Sequence, residues 1–138
     1  MKSKAPKYVP SVEEYKSAFQ KIGKQMTENQ RRMLEKHYES YCYVSTATDL
    51  ALLMDYGGAG GTKLQYGRLG SLVSNALGLG SLGVITLVLM VPPKKAGNPE
   101  WLWVMRANVA QALEQLGWVK KRSRFFYPNG GVGAKKYF

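Results

Sequence analysis

Apolar residues recur at helical spacing along the first half of the chain, and three of these stretches begin with a helix-capping signal. The segments SVEE, TENQ and TATD begin at Ser11, Thr27 and Thr46, and each has a Glu, Gln or Asp three residues after the hydroxyl-bearing residue. In a capping box, these two side chains bond to each other's backbone N–H groups. We therefore expect three helices that begin at these positions, the first running to about Lys24.

A glycine-rich stretch, GGAGG at residues 57–61, follows the third predicted helix and precedes a fourth. Glycine favours turns and helix ends, so this stretch is predicted to be a turn between two helices. Thr62 is predicted to cap the fourth helix, with Gln65 in the capping-box position. The stripe expected to be buried consists of Leu69, Leu72, Val73, Ala76 and Leu77. The other side is then expected to present Lys63, Gly67, Gly70, Ser71 and Ser74, with Arg68 at the edge.

The pattern changes in the second half of the chain. VITLVLMV, residues 84–91, is apolar and rich in β-branched residues, which predicts a strand that ends at Pro92 and Pro93. EWLWVMR, residues 100–106, predicts a second strand, and the basic, glycine-containing loop between them makes the pair a hairpin. ANVAQALEQLGW then predicts a compact amphipathic helix.

This order of elements indicates an α+β fold, mainly helical, that is winged helix-turn-helix-like and has a two-stranded wing hairpin. We expect residues 1–10 to form a flexible arm and residues 11–119 a single domain. Residues 120–138 are expected to be a basic and aromatic tail with a turn at Asn129 and Gly130. In a fold of this type, the helix after the turn can enter the major groove of DNA.

Several large side chains are expected to form the core of this domain. Alternation along the second strand places Trp101 and Trp103 on one face, and Trp118 follows the last helix. His37 shares a helix face with apolar residues and is expected to be buried or half-buried. The apolar face of the third helix is predicted to consist of Leu50, Leu53 and Met54.

The charge of the chain indicates a polyanionic partner. Twenty Lys and Arg residues oppose nine Asp and Glu residues, and the net charge is +11. From Lys120 onward there are six basic residues and no acidic one. Such a clustered excess favours nucleic acid, and the predicted fold favours DNA over RNA. The residues predicted to contact it are Lys63, Gln65, Arg68 and Ser71 on the helix, Lys94 and Lys95 in the wing, and Lys120, Lys121, Arg122 and Arg124 in the tail.

Catalytic chemistry and cofactors are not expected. The stretch GGAGGTK has Thr and Lys in the reverse of the Walker A order, and it follows a predicted helix rather than a strand. GLGSLG, residues 78–83, matches the dinucleotide pattern, but a helix precedes it and a strand follows it. With one His and one Cys, the chain has neither a zinc ligand set nor a thiol–imidazole pair. We therefore predict a protein that is not an enzyme and binds no metal.

The environment of the protein is predicted to be cytoplasmic. The longest apolar run, residues 84–91, is far too short to span a bilayer, and no apolar segment of a signal peptide follows the basic N-terminus. The single cysteine, Cys42, fits a reducing compartment.

Two stretches resemble a small winged-helix-like domain of bacterial and phage proteins that often lies N-terminal to an HNH endonuclease module. The resemblance rests on Thr46, Ala47, Leu50 and Ala51, on residues 64–70 (LQYGRLG), on Trp101, Trp103 and Arg106, and on residues 112–118 (ALEQLGW). It covers about half of the chain and implies the same fold class. The nuclease part has no counterpart here, and GGAGG stands where the family tends to have larger polar and aromatic residues.

Two functions are consistent with these patterns. The first is a non-enzymatic nucleic-acid-binding protein that uses a winged helix-turn-helix. The alternative is a phage or mobile-element protein that inhibits a host defence complex, as anti-CRISPR or anti-restriction proteins do, by competing at a nucleic-acid-binding surface. Small size, an isolated domain and a basic tail fit this alternative.

Overall fold

The computed structural model describes residues 9–93 and 100–121. In this part of the chain the elements are, in order, α1 (Val12–Ile22), α2 (Glu28–Tyr38), β1 (Val44–Ser45), α3 (Ala47–Met54), α4 (Ala59–Ala76), β2 (Val88–Val91), β3 (Leu102–Met105) and α5 (Ala107–Leu116). Short 3-10 helices lie at Tyr41–Tyr43 and Gly83–Thr86. The fold is α+β and mainly helical, as predicted from the sequence. The predicted arm up to residue 8, the wing loop at 94–99 and the tail from residue 122 lie outside the described residues.

The sheet has three antiparallel strands in the order β1–β3–β2. β2 and β3 form the predicted hairpin, with Leu89 opposite Val104. β1 was not predicted, because two residues are too few to show an alternating pattern, and it pairs Val44 with Val104. A strand before the two helices and a hairpin after them is compatible with a winged helix-turn-helix. The predicted strand at 84–91 is wrong in its first half, where the chain forms the 3-10 helix.

The first three helices begin where the capping signals placed them. The Ser11 hydroxyl accepts a hydrogen bond from the Glu14 backbone N–H at 3.1 Å, and the Glu14 carboxylate accepts one from the Ser11 N–H at 2.8 Å. Thr27 and Gln30 form the same reciprocal pair, both bonds being 3.0 Å long. Thr46 accepts from the Asp49 N–H at 3.1 Å. These starts are local, since each is formed by residues three positions apart.

Helix α4 begins earlier than predicted. Its N-cap is Gly58, so Thr62 lies within the first turns instead of capping them. Thr62 is fully buried, and its hydroxyl donates a 2.7 Å hydrogen bond to the carbonyl oxygen of Ala47 at the start of α3. This bond joins α3 to α4.

We expect the T62V variant to lose about 1 kcal/mol of unfolding free energy, because a shape-matched methyl replaces a buried donor. Urea denaturation measures this loss. The matched control is T48V, whose hydroxyl donates to the Glu100 carboxylate at 2.9 Å in an exposed position. Its loss should stay below about 0.5 kcal/mol. Equal losses in the two variants would contradict a stabilising role for the buried bond.

The core lies between the helices and the inner face of the sheet. Trp103 is buried, with its ring centroid 5.5 Å from that of Tyr66, and Trp118 packs against Phe19 at the same centroid distance. Trp101 is not part of this core, because it precedes β3 and is 51% exposed. The predicted placement of both tryptophans on one strand face is therefore wrong.

Helix α3 also differs from the predicted face. Its buried residues are Ala47, Leu50, Ala51 and Met54, which follow helical spacing. Leu53 lies outside that spacing and is exposed, which corrects its predicted place in the core.

Candidate nucleic-acid interface

A short turn joins α3 to α4. Asp55 ends α3 in the left-handed conformation with φ 59°, and Gly57 follows with φ 86°. Only residues 55–58 separate the two helices, and a turn of three to four residues containing glycine is typical of a helix-turn-helix. The stretch GGAGG is therefore divided between this turn and the first turn of α4. It follows a helix, as the sequence indicated, and not a strand.

The inner face of α4 is held by a buried polar contact with α2 and β3. The His37 Nδ1 lies 2.7 Å from the Tyr66 hydroxyl, and its Nε2 lies 2.9 Å from the Trp103 carbonyl oxygen. A carbonyl oxygen only accepts, so Nε2 carries the proton and Nδ1 accepts from the Tyr66 hydroxyl. His37 is fully buried, as predicted, and connects three elements.

Burial makes this imidazole hard to protonate. Removal from water lowers the pKa of His37 to about 4, against the opposing effect of its hydrogen bond to the Trp103 carbonyl. The same burial raises the pKa of the Tyr66 hydroxyl. Both side chains are therefore neutral near pH 7, and their hydrogen bonds connect α2, α4 and β3.

One side of α4 that was predicted to face outward is covered. Gly70 and Ser74 are buried against the segment around Gly83, because the 3-10 helix there packs on α4. A Cβ at Gly70 would overlap the carbonyl oxygen of Gly83 and lie 2.5 Å from its carbonyl carbon. Gly70 thus makes room for a backbone segment of the same chain, which corrects its predicted outward position.

Two serines hold this segment in place. The Ser71 hydroxyl accepts a hydrogen bond from the Gly83 N–H at 3.1 Å, and the Ser74 hydroxyl accepts one from the Leu82 N–H at 2.9 Å. Ser71, predicted to contact nucleic acid, is half-buried and has this intramolecular role.

The outward face of α4 presents two of the predicted cations. Lys63 and Arg68 are exposed, and α4 contains no acidic residue. Gln65 is half-buried at the edge of the face, and its side-chain oxygen accepts a 3.3 Å hydrogen bond from Gln30. Lys63 and Arg68 are thus both exposed on α4, five positions apart and on either side of Leu64, whereas Gln65 points toward α2.

The remaining predicted contacts lie elsewhere or outside the described residues. Lys120 and Lys121 are exposed just after α5, a helix that packs against α1. Lys94, Lys95, Arg122 and Arg124 lie outside the described residues. The guanidinium group of Arg106 already bonds within the protein, because Nε and Nη2 donate hydrogen bonds to the Ile85 carbonyl oxygen at 3.1 and 3.0 Å. That edge of the group is therefore not available to a ligand.

Leu64 is a feature of this face that the sequence interpretation missed. Its side chain is 50% exposed on α4, and the ideal Cβ of the neighbouring Gly67 would meet no atom within 4 Å. The sequence pattern already indicated that Leu64 could be exposed, because it is not among the residues of the predicted buried stripe. Its exposure depends on where the other helices pack.

Other classes of site receive no support from the described residues 9–93 and 100–121. No three His, Cys, Asp or Glu side chains there are grouped so that they could hold a metal ion. None of the helices in that part combines the length and apolar character needed to cross a bilayer.

The fold and this face together define a mainly helical α+β protein with a helix-turn-helix followed by a β-hairpin. Comparisons of the chain with protein-family models, with curated proteins and with solved structures found no match.

Proposed function

We propose that this protein is a non-enzymatic DNA-binding protein in which α4 is the recognition helix of a winged helix-turn-helix. The observation that carries the proposal is the outward face of α4, which follows a four-residue turn and presents Lys63 and Arg68 without any acidic residue on the helix. The net charge of +11 favours the same class of partner. The cytoplasmic location predicted from the sequence is part of this proposal.

Duplex DNA suits such a face better than duplex RNA does. The major groove of B-form DNA admits an α-helix, whereas the major groove of A-form RNA is too narrow for side chains to read. Lys63 and Arg68 would contact phosphates and set the position of the helix. Further backbone contacts are proposed for Lys94 and Lys95 in the wing and for Lys120, Lys121, Arg122 and Arg124 after α5. Gln65 and Ser71 are left out, because their side chains already bond within the protein.

The K63A/R68A variant should bind a duplex of about 20 base pairs more weakly and with a shallower salt dependence. Each phosphate contact contributes about 0.9 to the slope of log K against log salt, so the slope should fall by about 2. Fluorescence anisotropy between 50 and 200 mM salt measures it.

The control for this experiment is the K21A/K24A variant, which removes the same charge from exposed positions on and just after α1. If α4 is the interface, this control keeps most of the wild-type slope. Equal slopes for the two variants would indicate non-specific attraction by net charge. Absence of duplex binding by the wild type at 50 mM salt would reject the proposed function.

A protein target is favoured by one separate observation. Leu52 is 75% exposed and Leu53 50% exposed at the C-terminal end of α3, where a DNA phosphate offers them no apolar contact. A protein surface could bury both leucines. If inhibition of a protein complex is the function, L52S/L53S should abolish that inhibition in the absence of nucleic acid, and K63A/R68A should retain it.

A further inference from the structure

The outward face of α4 has an apolar centre. On a helix the nearest surface neighbours of a residue lie three and four positions away. For Leu64 these are Gly60 and Gly61 on one side and Gly67 and Arg68 on the other. Gly60, Gly61 and Gly67 have no side chain, so the Leu64 side chain projects beyond its neighbours between the cations Lys63 and Arg68.

Leu64 has no place in the core that residues 9–93 and 100–121 form. It is 50% exposed, and the inner face of α4 is formed by other residues, namely Thr62, Tyr66, Leu69, Gly70, Val73 and Ser74. Leu64 also has no polar atom with which to read a donor or acceptor on a base. An interaction through this side chain has to be apolar.

Resting on the proposed DNA-binding function, we infer that Leu64 is a specificity-determining residue that contacts the C5-methyl group of thymine in the major groove. Thymine is the base that presents an apolar group in that groove, and aliphatic side chains contact it there. Against guanine, cytosine or the adenine edge, the leucine would cover polar atoms without replacing their hydrogen bonds with water. The flanking Lys63 and Arg68 provide charge complementarity to the phosphates on either side. The ligand at this position is therefore an A·T pair whose thymine faces α4.

The test is the removal of the methyl group alone. The tightest-binding duplex from a random-sequence selection is remade with uracil in place of every thymine, which preserves base pairing. Wild-type protein should bind the uracil duplex about fourfold more weakly for each methyl group that it buries. L64A should bind the thymine duplex several-fold more weakly than wild type does, and it should not distinguish the two duplexes.

The matched control is L53A, because Leu53 has the same 50% exposure but lies on α3. It should keep the wild-type preference for thymine. Thermal unfolding of L64A should match that of wild type, since the side chain is half in water, and this separates loss of contact from loss of fold.

The inference and the proposed function fail in different ways. Salt-dependent duplex binding with no thymine preference would overturn the inference and leave the proposed function standing. A preference that persists in L64A would also overturn it, because another residue or the shape of the DNA would then be the cause. If the wild type binds neither duplex, or binds only RNA, both the inference and the proposed function are rejected.

Discussion

Replacement of Gly70 by alanine is expected to destabilise the protein by about 3 kcal/mol, at the upper end of the range for overpacked sites. The added methyl group would occupy the position of the Gly83 carbonyl oxygen, and the atoms in conflict are backbone rather than the end of a flexible side chain. Relief of this conflict requires the segment at 82–86 to move away from α4. That movement would also break the hydrogen bonds that the Gly83 and Leu82 N–H groups donate to Ser71 and Ser74.

G67A is the matched control for this prediction, because it makes the same change three residues earlier on the same helix. A Cβ there meets nothing within 4 Å, and alanine is favoured over glycine inside a helix by about 1 kcal/mol. Chemical denaturation should therefore show opposite signs, with G70A less stable and G67A more stable than wild type. A G70A protein as stable as wild type would contradict the close packing of this segment on α4.

The second large effect is a loss of stability in mild acid. The pKa of His37 is about 4 in the folded protein and ordinarily near 6.5 in an unfolded chain. Between these values the unfolded state binds more protons, so stability is complete above about pH 6.5 and falls as the pH is lowered to about 4. The expected contribution is about 3 kcal/mol across this window, since the neutral imidazole is buried between Tyr66 and Trp103.

Urea denaturation at several pH values measures this loss, and H37Q should show a smaller loss between pH 6.5 and 4. His37 is the only histidine in the chain, so its imidazole proton resonance can also be followed directly in the folded wild type. That resonance should not titrate until the pH approaches about 4. A midpoint near 6.5 in the folded protein would show that the imidazole is open to water.

Residues that suggested a resemblance to the winged-helix-like domain have structural roles in this protein. Tyr66 and Trp103 meet at His37, Gly70 accommodates the Gly83 carbonyl, and Arg106 holds the Ile85 carbonyl. The relation to that family remains a prediction. A sequence pattern made of such residues indicates how a fold packs more than which ligand it binds. The proposed interface therefore rests on the exposed residues Lys63, Leu64 and Arg68.

The sequence by itself determined the features that depend on near neighbours in the chain. The starts at Ser11, Thr27 and Thr46 follow from hydrogen bonds between residues three positions apart, and the last helix follows from its apolar periodicity. The hairpin of β2 and β3 follows from two apolar runs separated by prolines and a basic loop. The burial of His37 could also be predicted, because it lies on the same helix face as Met33.

The tertiary structure decided the features that depend on residues far apart in the chain. Strand β1 exists because β3 pairs with it, and Thr62 lies inside α4, where its hydroxyl donates to the Ala47 carbonyl oxygen of α3. Gly70 is covered and Leu64 is exposed because the segment around Gly83 packs on one side of α4 and leaves the other side open. Periodicity indicates that a helix has two faces, but only the packing of distant segments determines which face meets water.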